Sequence, residues 1–199
     1  MSKKITWQQV FAYLLVFCSV IGLIASFVLI MEKIHILSDP SYSPSCNINP
    51  VLSCTSVSGT PQGSVFNFPD QFIGLIGFSI ILAIGMALIA GAKFKRWFWL
   101  GLQTGITFGF LFMLWLMYQS IYVIGALCIY CMVTWSIMLP LAWYITLNNI
   151  ENGSLVLGKK LNTLSVFAKI HHLDILVCAY LIVIALILNH FWYYWNTLI

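Results

Sequence analysis

Charge is scarce in this chain: 7% of its 199 residues are charged and only five are acidic, against about a quarter charged in a soluble domain. So few charges cannot clothe a water-facing surface, which excludes an ordinary soluble fold. With 61% hydrophobic residues, the chain reads as an all-α integral membrane protein. The net charge of +4 does not point to nucleic acid, because nine basic residues scattered between apolar blocks form no phosphate-binding stripe. Internal repeats and low-complexity tracts are also missing. The first four apolar spans hold few polar side chains and no charged ones, which argues against a transport pathway through them.

Apolar runs take the place of charge. A run of about 20 apolar residues crosses a bilayer as a helix, and five such spans are expected, near residues 10–31, 72–92, 97–118, 127–147 and 175–195. The third and fourth come from one uncharged stretch, Trp97 to Leu147, too long for a single crossing of roughly 30 Å. Gln119, Ser120 and Gly125 are the expected turn. Residues 32–71 form the longest segment outside the membrane, and Asp70 is placed to cap the second span. The first span is too long for a secretory h-region and lacks a small-x-small cleavage site, so it is expected to remain. The chain is read as a single membrane domain over residues 1–199.

Basic residues set the expected orientation. With the N-terminus in the cytoplasm, the inner segments carry Lys3, Lys4, Lys93, Lys95, Arg96, Lys159, Lys160 and Lys169, and the outer ones only Lys33. The 32–71 loop and the third-to-fourth turn then lie on the periplasmic or extracellular side.

Four of the six cysteines fall on that side. Cys46 and Cys54 are eight residues apart in a loop expected to be flexible, and could close a small ring. Cys128 and Cys131 form a CxxC expected in the first turn of the fourth helix, where positions i and i+3 share a face. Cys128, nearer the helix N-terminus, is the better attacking sulfur, because the helix dipole favours thiolate. Cys131 lies a turn deeper, and Trp135 follows on the same stripe, where a flat lipid-soluble ring could rest. The same four thiols could instead hold structural zinc, but an oxidising compartment and an intramembrane pair both disfavour that, so no metal is expected. Cys18 and Cys178 are read as inert small hydrophobes. His171 and His172 suit an interfacial role, and His190 is a weak functional hint by its depth in the fifth span.

Two cysteine pairs on one side of a small bundle, with Asn49-Pro50-Val51-Leu52-Ser53-Cys54, Phe68-Pro69 and Gly74, resemble the vitamin K epoxide reductase family. The likeness spans about residues 10–147 and is closest to bacterial homologues without a fused thioredoxin domain. It implies a four-helix bundle around a quinone site, with a fifth helix beside it and the outer loop as a cap. The implied activity is that of a quinone-dependent thiol oxidase. Electrons would pass from a separate, secreted thioredoxin-fold protein of the DsbA type, at about −120 mV, to quinone of ubiquinone, menaquinone or vitamin K type. By position, Cys46 and Cys54 would be the shuttle pair, Cys54 would exchange with Cys128, and Cys131 would face the quinone. Asp70 falls where animal members have Asn near the quinone head group; an ionised Asp would accept but not donate a hydrogen bond. Trp135 falls where they have Tyr, and Thr60 where the family has Ser or Thr, although Gly59 departs from the usual small hydroxyl beside it. The alternatives are reduction of a quinone epoxide and a zinc-stabilised structural subunit.

Overall fold

The structure, a computed structural model, describes residues 7–39, 42–44, 46–155 and 167–196. Inside a bilayer no water can satisfy the backbone, so each long apolar run must close its own hydrogen bonds as a helix. Five helices are long and apolar enough to cross: α1 (Trp7–Ser38), α3 (Gln71–Ile89), α4 (Arg96–Tyr118), α5 (Ile129–Glu151) and α6 (His172–His190). The short α2 (Cys54–Ser58) lies in the loop between α1 and α3, and the single turn α7 (Trp192–Trp195) follows α6. Among the described residues there is no named strand, and the protein is an all-α integral membrane bundle.

Helix α1 packs chiefly on α3, then on α5, and α4 packs on α5. Small residues bring α1 and α3 together, because between apolar helices close backbone approach is what drives association. A Cβ added at Gly22 would stand 2.6 Å from the Phe78 ring, one at Gly74 2.7 Å from Ser26 Oγ, and one at Gly85 2.8 Å from Val16. Between α4 and α5 polar side chains do the joining. Asn149 Nδ2 donates to Gln103 Oε1 (2.8 Å) and to the Trp99 carbonyl (3.2 Å), while Gln103 Nε2 donates to Thr146 Oγ1 (3.0 Å). Pro140 has no N–H, which leaves the Ser136 carbonyl without its helical partner. The Tyr180 hydroxyl of α6 donates to that oxygen at 2.5 Å and docks the fifth helix on α5.

Several boundaries differ from expectation. α1 continues through Glu32–Ser38, residues assigned above to the loop, because the polar side chains there find partners. Tyr42 donates to Glu32 at 2.9 Å, and Lys33 donates to the Ser58 carbonyl. After α4 the chain makes a π-helical turn (Gln119–Ile124) and reverses at Gly125 in the left-handed region (φ 68°), where glycine carries no Cβ penalty. Asp70 occupies the N-cap position of α3 without capping it, since its Oδ1 accepts from the Val65 amide at 3.1 Å instead. The 46–54 loop is held, not loose, as described below. Of the basic residues used for orientation, Lys93, Lys95, Arg96 and Lys169 lie at the end of the bundle opposite the cysteines, and Lys33 lies at the cysteine end. Lys3, Lys4, Lys159 and Lys160 lie outside the described residues.

Gly22→Ala is expected to destabilise the bundle by about 1–3 kcal/mol through overpacking. Gly77→Ala, with nothing within 4 Å of an added Cβ, should be near neutral. Thermal unfolding in detergent checks both, and Phe78→Leu should restore stability to Gly22→Ala.

Candidate functional site

The site is built from the loop outward. Asn49 Oδ1 accepts from the Val51 (3.0 Å) and Leu52 (2.7 Å) amides, folding Asn49-Pro50-Val51-Leu52 into a turn. Ser53 then caps α2, its Oγ accepting from the Ser56 amide at 3.2 Å. Asn47, next to Cys46, clamps the same helix start: its Nδ2 donates to Thr55 Oγ1 (2.7 Å) and its Oδ1 accepts from the Thr55 amide (3.2 Å). These bonds bring Cys46 to Cys54, and the two form a disulfide.

A two-rung backbone bridge joins this loop to α5. The Leu127 amide donates to the Val51 carbonyl (2.7 Å), and the Ser53 amide donates to the Leu127 carbonyl (2.9 Å). Leu127 is presented by the reversal at Gly125, where the Ser120 hydroxyl holds the Ala126 carbonyl at 2.5 Å. Ser53 and Leu127 each precede a cysteine, so pairing them pairs the sulfurs: Cys54 Sγ lies 3.2 Å from Cys128 Sγ. Cys46, Cys54 and Cys128 are all buried.

Cys128 sits at the N-cap of α5 in extended conformation (φ −110°, ψ 127°), one position before the first turn where it was expected. An extended residue there can reach the loop while leaving the first-turn amides open. Its thiol is held below the ordinary value, first by a hydrogen bond from the Cys131 thiol. Burial opposes this; the Cys131 and Tyr130 amides at the helix start reinforce it, and the Glu32 carboxylate opposes it weakly.

Cys128 and Cys131 border a cavity of about 680 Å³ that runs between α3 and α4. Its walls are mostly apolar. Three glycines four apart on α4, Gly101, Gly105 and Gly109, line it, and their missing side chains leave the room. Thr60, Asp70 and Trp135 line it as well, so five of the seven expected site residues border the cavity, and the Cys46–Cys54 disulfide joins them through the contact of Cys54 with Cys128. Trp135 is buried on the Cys128–Cys131 stripe, and Thr60 donates its hydroxyl to the Val57 carbonyl at 2.8 Å. Asp70 is 7% exposed, and its Oδ2 has no partner among the described residues. Burial pushes its carboxyl above the ordinary carboxylate value, against the opposing effects of the Val65 amide and Lys33.

Sequence reasoning missed Ser58 and Gln71, which line the cavity with unpartnered Oγ and Oε1 atoms, and it missed the glycine stripe, whose four-residue spacing was a usable signal. The histidines stand apart from the thiols: His171 pairs with Asp174 (2.8 Å), His172 with the Tyr144 hydroxyl (3.0 Å), and the His190 ring lies against Tyr122. Cys18 is buried and Cys178 exposed on α6. Among the described residues no group of three or more His, Cys, Asp or Glu is placed to hold a metal ion.

A membrane bundle in which a disulfide and a dithiol meet beside an apolar cavity is the architecture of a membrane thiol–disulfide redox protein. A family model, that of the vitamin K epoxide reductase family, matches residues 13–146, and the chain belongs to this family. Its membership makes it a membrane oxidoreductase of quinone-linked disulfide chemistry. No curated protein matches the chain.

The Cys131 thiol has the largest part in lowering Cys128. In a Cys54→Ser background, Cys131→Ala is therefore expected to raise the pH midpoint of Cys128 alkylation, and Cys131→Ser, which can still donate, to raise it less. An unchanged midpoint in Cys131→Ala would remove the thiol–thiol hydrogen bond as the cause.

Proposed function

We propose that the protein is a quinone-dependent thiol oxidase that keeps a secreted, DsbA-like thioredoxin-fold partner oxidised. The observation that carries this reading is the 3.2 Å approach of Cys54 Sγ to Cys128 Sγ, with a closed disulfide on one side and a free thiol pair at the cavity on the other. That is the state expected after the loop pair has passed its electrons inward. The clustering of Lys93, Lys95, Arg96 and Lys169 at the far end supports a cytoplasmic N-terminus and cysteines facing the periplasm or the exterior.

The chain's own sulfurs account for the exchange. A partner thiolate attacks Cys46, breaking the Cys46–Cys54 bond and releasing Cys54 as thiolate. The partner's second thiolate resolves that mixed disulfide, leaving the partner oxidised and Cys46 reduced. Cys54 attacks Cys128 of an oxidised Cys128–Cys131 pair, and Cys131 leaves. Cys46 then attacks Cys54, restoring the loop disulfide and releasing Cys128. Two electrons and two protons have moved from the partner to Cys128 and Cys131. Because Cys46 and Cys54 are buried, the first step requires the disulfide to become exposed to the partner.

The cavity suits a quinone: it is apolar, borders the thiols, and ends on the unpartnered Asp70 Oδ2 and Gln71 Oε1. A bound quinone supplies the two-electron, two-proton acceptor for the Cys128–Cys131 dithiol. Trp135 offers a flat wall and Thr60 a hydroxyl, while burial at Asp70 favours the protonated carboxyl, which can donate the hydrogen bond that an ionised carboxylate cannot.

Reconstitution with a reduced thioredoxin-fold donor tests the mechanism through quinone absorbance. Cys131→Ser should abolish quinone reduction and accumulate a Cys54–Cys128 disulfide; undiminished turnover in that variant would sink the proposal. Asp70 adds a pH signature. As pH rises through its elevated pKa the donor is lost, so the KM for quinone should increase, and Asp70→Asn, which donates at every pH, should flatten that limb.

A further inference from the structure

A second cavity, of about 580 Å³, lies at the opposite end of the bundle, between the starts of α1 and α4 and the ends of α3 and α5. Lys93 and Arg96 are in its wall, and no Asp or Glu is. Basic residues near helix C-termini often serve the last carbonyls, but here those carbonyls are already taken. The turn amides of Ala90, Gly91 and Ala92 close on Met86, Leu88 and Ala87 of α3, and those of Asn152, Gly153 and Ser154 close on Asn148, Ile150 and Asn149 of α5. Among the described residues Lys93 has no partner, and Arg96 is engaged only through Nε, which donates to the Ser154 carbonyl at 3.1 Å. The start of α4 adds its positive dipole end, since Lys95 at the N-cap makes no side-chain capping bond.

An independent feature points the same way. Asn148, also in this wall, is 3% exposed, and its Nδ2 has no partner among the described residues. Its neighbour Asn149 spends the same group on Gln103 and Trp99. A buried amide donor without an acceptor costs free energy, and an incoming oxygen would relieve it. Two cations, a helix start and an amide donor, with no carboxylate, form a donor set for an anion with several oxygens. Phe11, Leu88 and Trp99 make one part of the wall apolar, and Gln8, Gln9, Asn152 and Ser154 add uncharged polar groups.

We propose that this cleft binds a phosphate group, with the phosphodiester of an anionic phospholipid as the source that its apolar half favours. The site is separate from the thiol relay and does not depend on it.

The test uses the full-length protein in neutral detergent, titrated with short-chain phosphatidylglycerol, the matching phosphatidylcholine, and inorganic phosphate, with binding read from thermal unfolding. Saturating phosphatidylglycerol should raise Tm by about 5 °C. The Lys93→Gln/Arg96→Gln variant should weaken that binding about 30-fold. Lys93→Gln alone, which breaks no hydrogen bond or ion pair among the described residues, should produce part of the loss with Tm in the absence of ligand unchanged. Phosphatidylcholine, which carries its own cation, should shift Tm little. An equal effect of inorganic phosphate would keep the phosphate site and replace lipid by free anion as its source. Equal shifts from both lipids, or a phosphatidylglycerol shift untouched by the double substitution, would overturn the proposal.

Discussion

Two backbone hydrogen bonds, Ser53 to Leu127 and Leu127 to Val51, govern the chemistry of this molecule. Each contributes only about 1 kcal/mol, far less than the helix packing around them. Their weight lies in register. They tie the residue before one cysteine to the residue before another, 74 positions apart, and so turn the meeting of a loop and a helix into a sulfur pair within van der Waals reach. Upstream, the Asn49 turn, the Asn47 clamp and the Gly125 reversal serve to present those three peptides; downstream, the thiol at the cavity depends on them.

The rest of the bundle answers to a different rule, that of a solvent offering no hydrogen bonds. Where backbones touch, glycine and serine make room, as at Gly22, Ser26 and Gly85. Where polar groups enter the membrane they meet one another, as Gln103, Thr146 and Asn149 do. Among the described residues, four of the six exceptions lie at the two cavities, Ser58, Asp70 and Gln71 at one and Asn148 at the other, while Trp143 Nε1 and Asn149 Oδ1 stand outside their walls. A medium that penalises such atoms so heavily tolerates them best where something else completes them.

Much of this was written plainly in the sequence, because bilayer thickness fixes helix length and the only ways to turn inside a long apolar run are few. The Gln119–Gly125 reversal and the gathering of four cysteines at one end of the bundle were legible for that reason. Helix ends were less so: nothing local in Glu32-Lys33 says that Tyr42 and Ser58 will complete them and carry α1 seven residues past the predicted boundary. Asp70 looked like a cap because its residue type and place were right, but the Val65 amide, which only the folded loop brings near, took its oxygen. Cys128 moved from the first turn to the N-cap for a related cause, the pull of a bridge to residues far away in the chain. The cavity escaped notice because glycines read as packing residues when nothing reveals that the facing helix stands off.

The docking of α6 has a consequence for how such a chain can change over generations. The family match ends at residue 146, before this helix begins. Besides the His172–Tyr144 bond at its start, its attachment uses a missing amide at Pro140, which frees the Ser136 oxygen, and a hydroxyl, on Tyr180, to meet it. A main-chain acceptor persists whatever side chains drift around it. None of the residues of α6 is buried, so the helix is an appendage whose surface is free to diversify while its point of attachment is inherited with the proline.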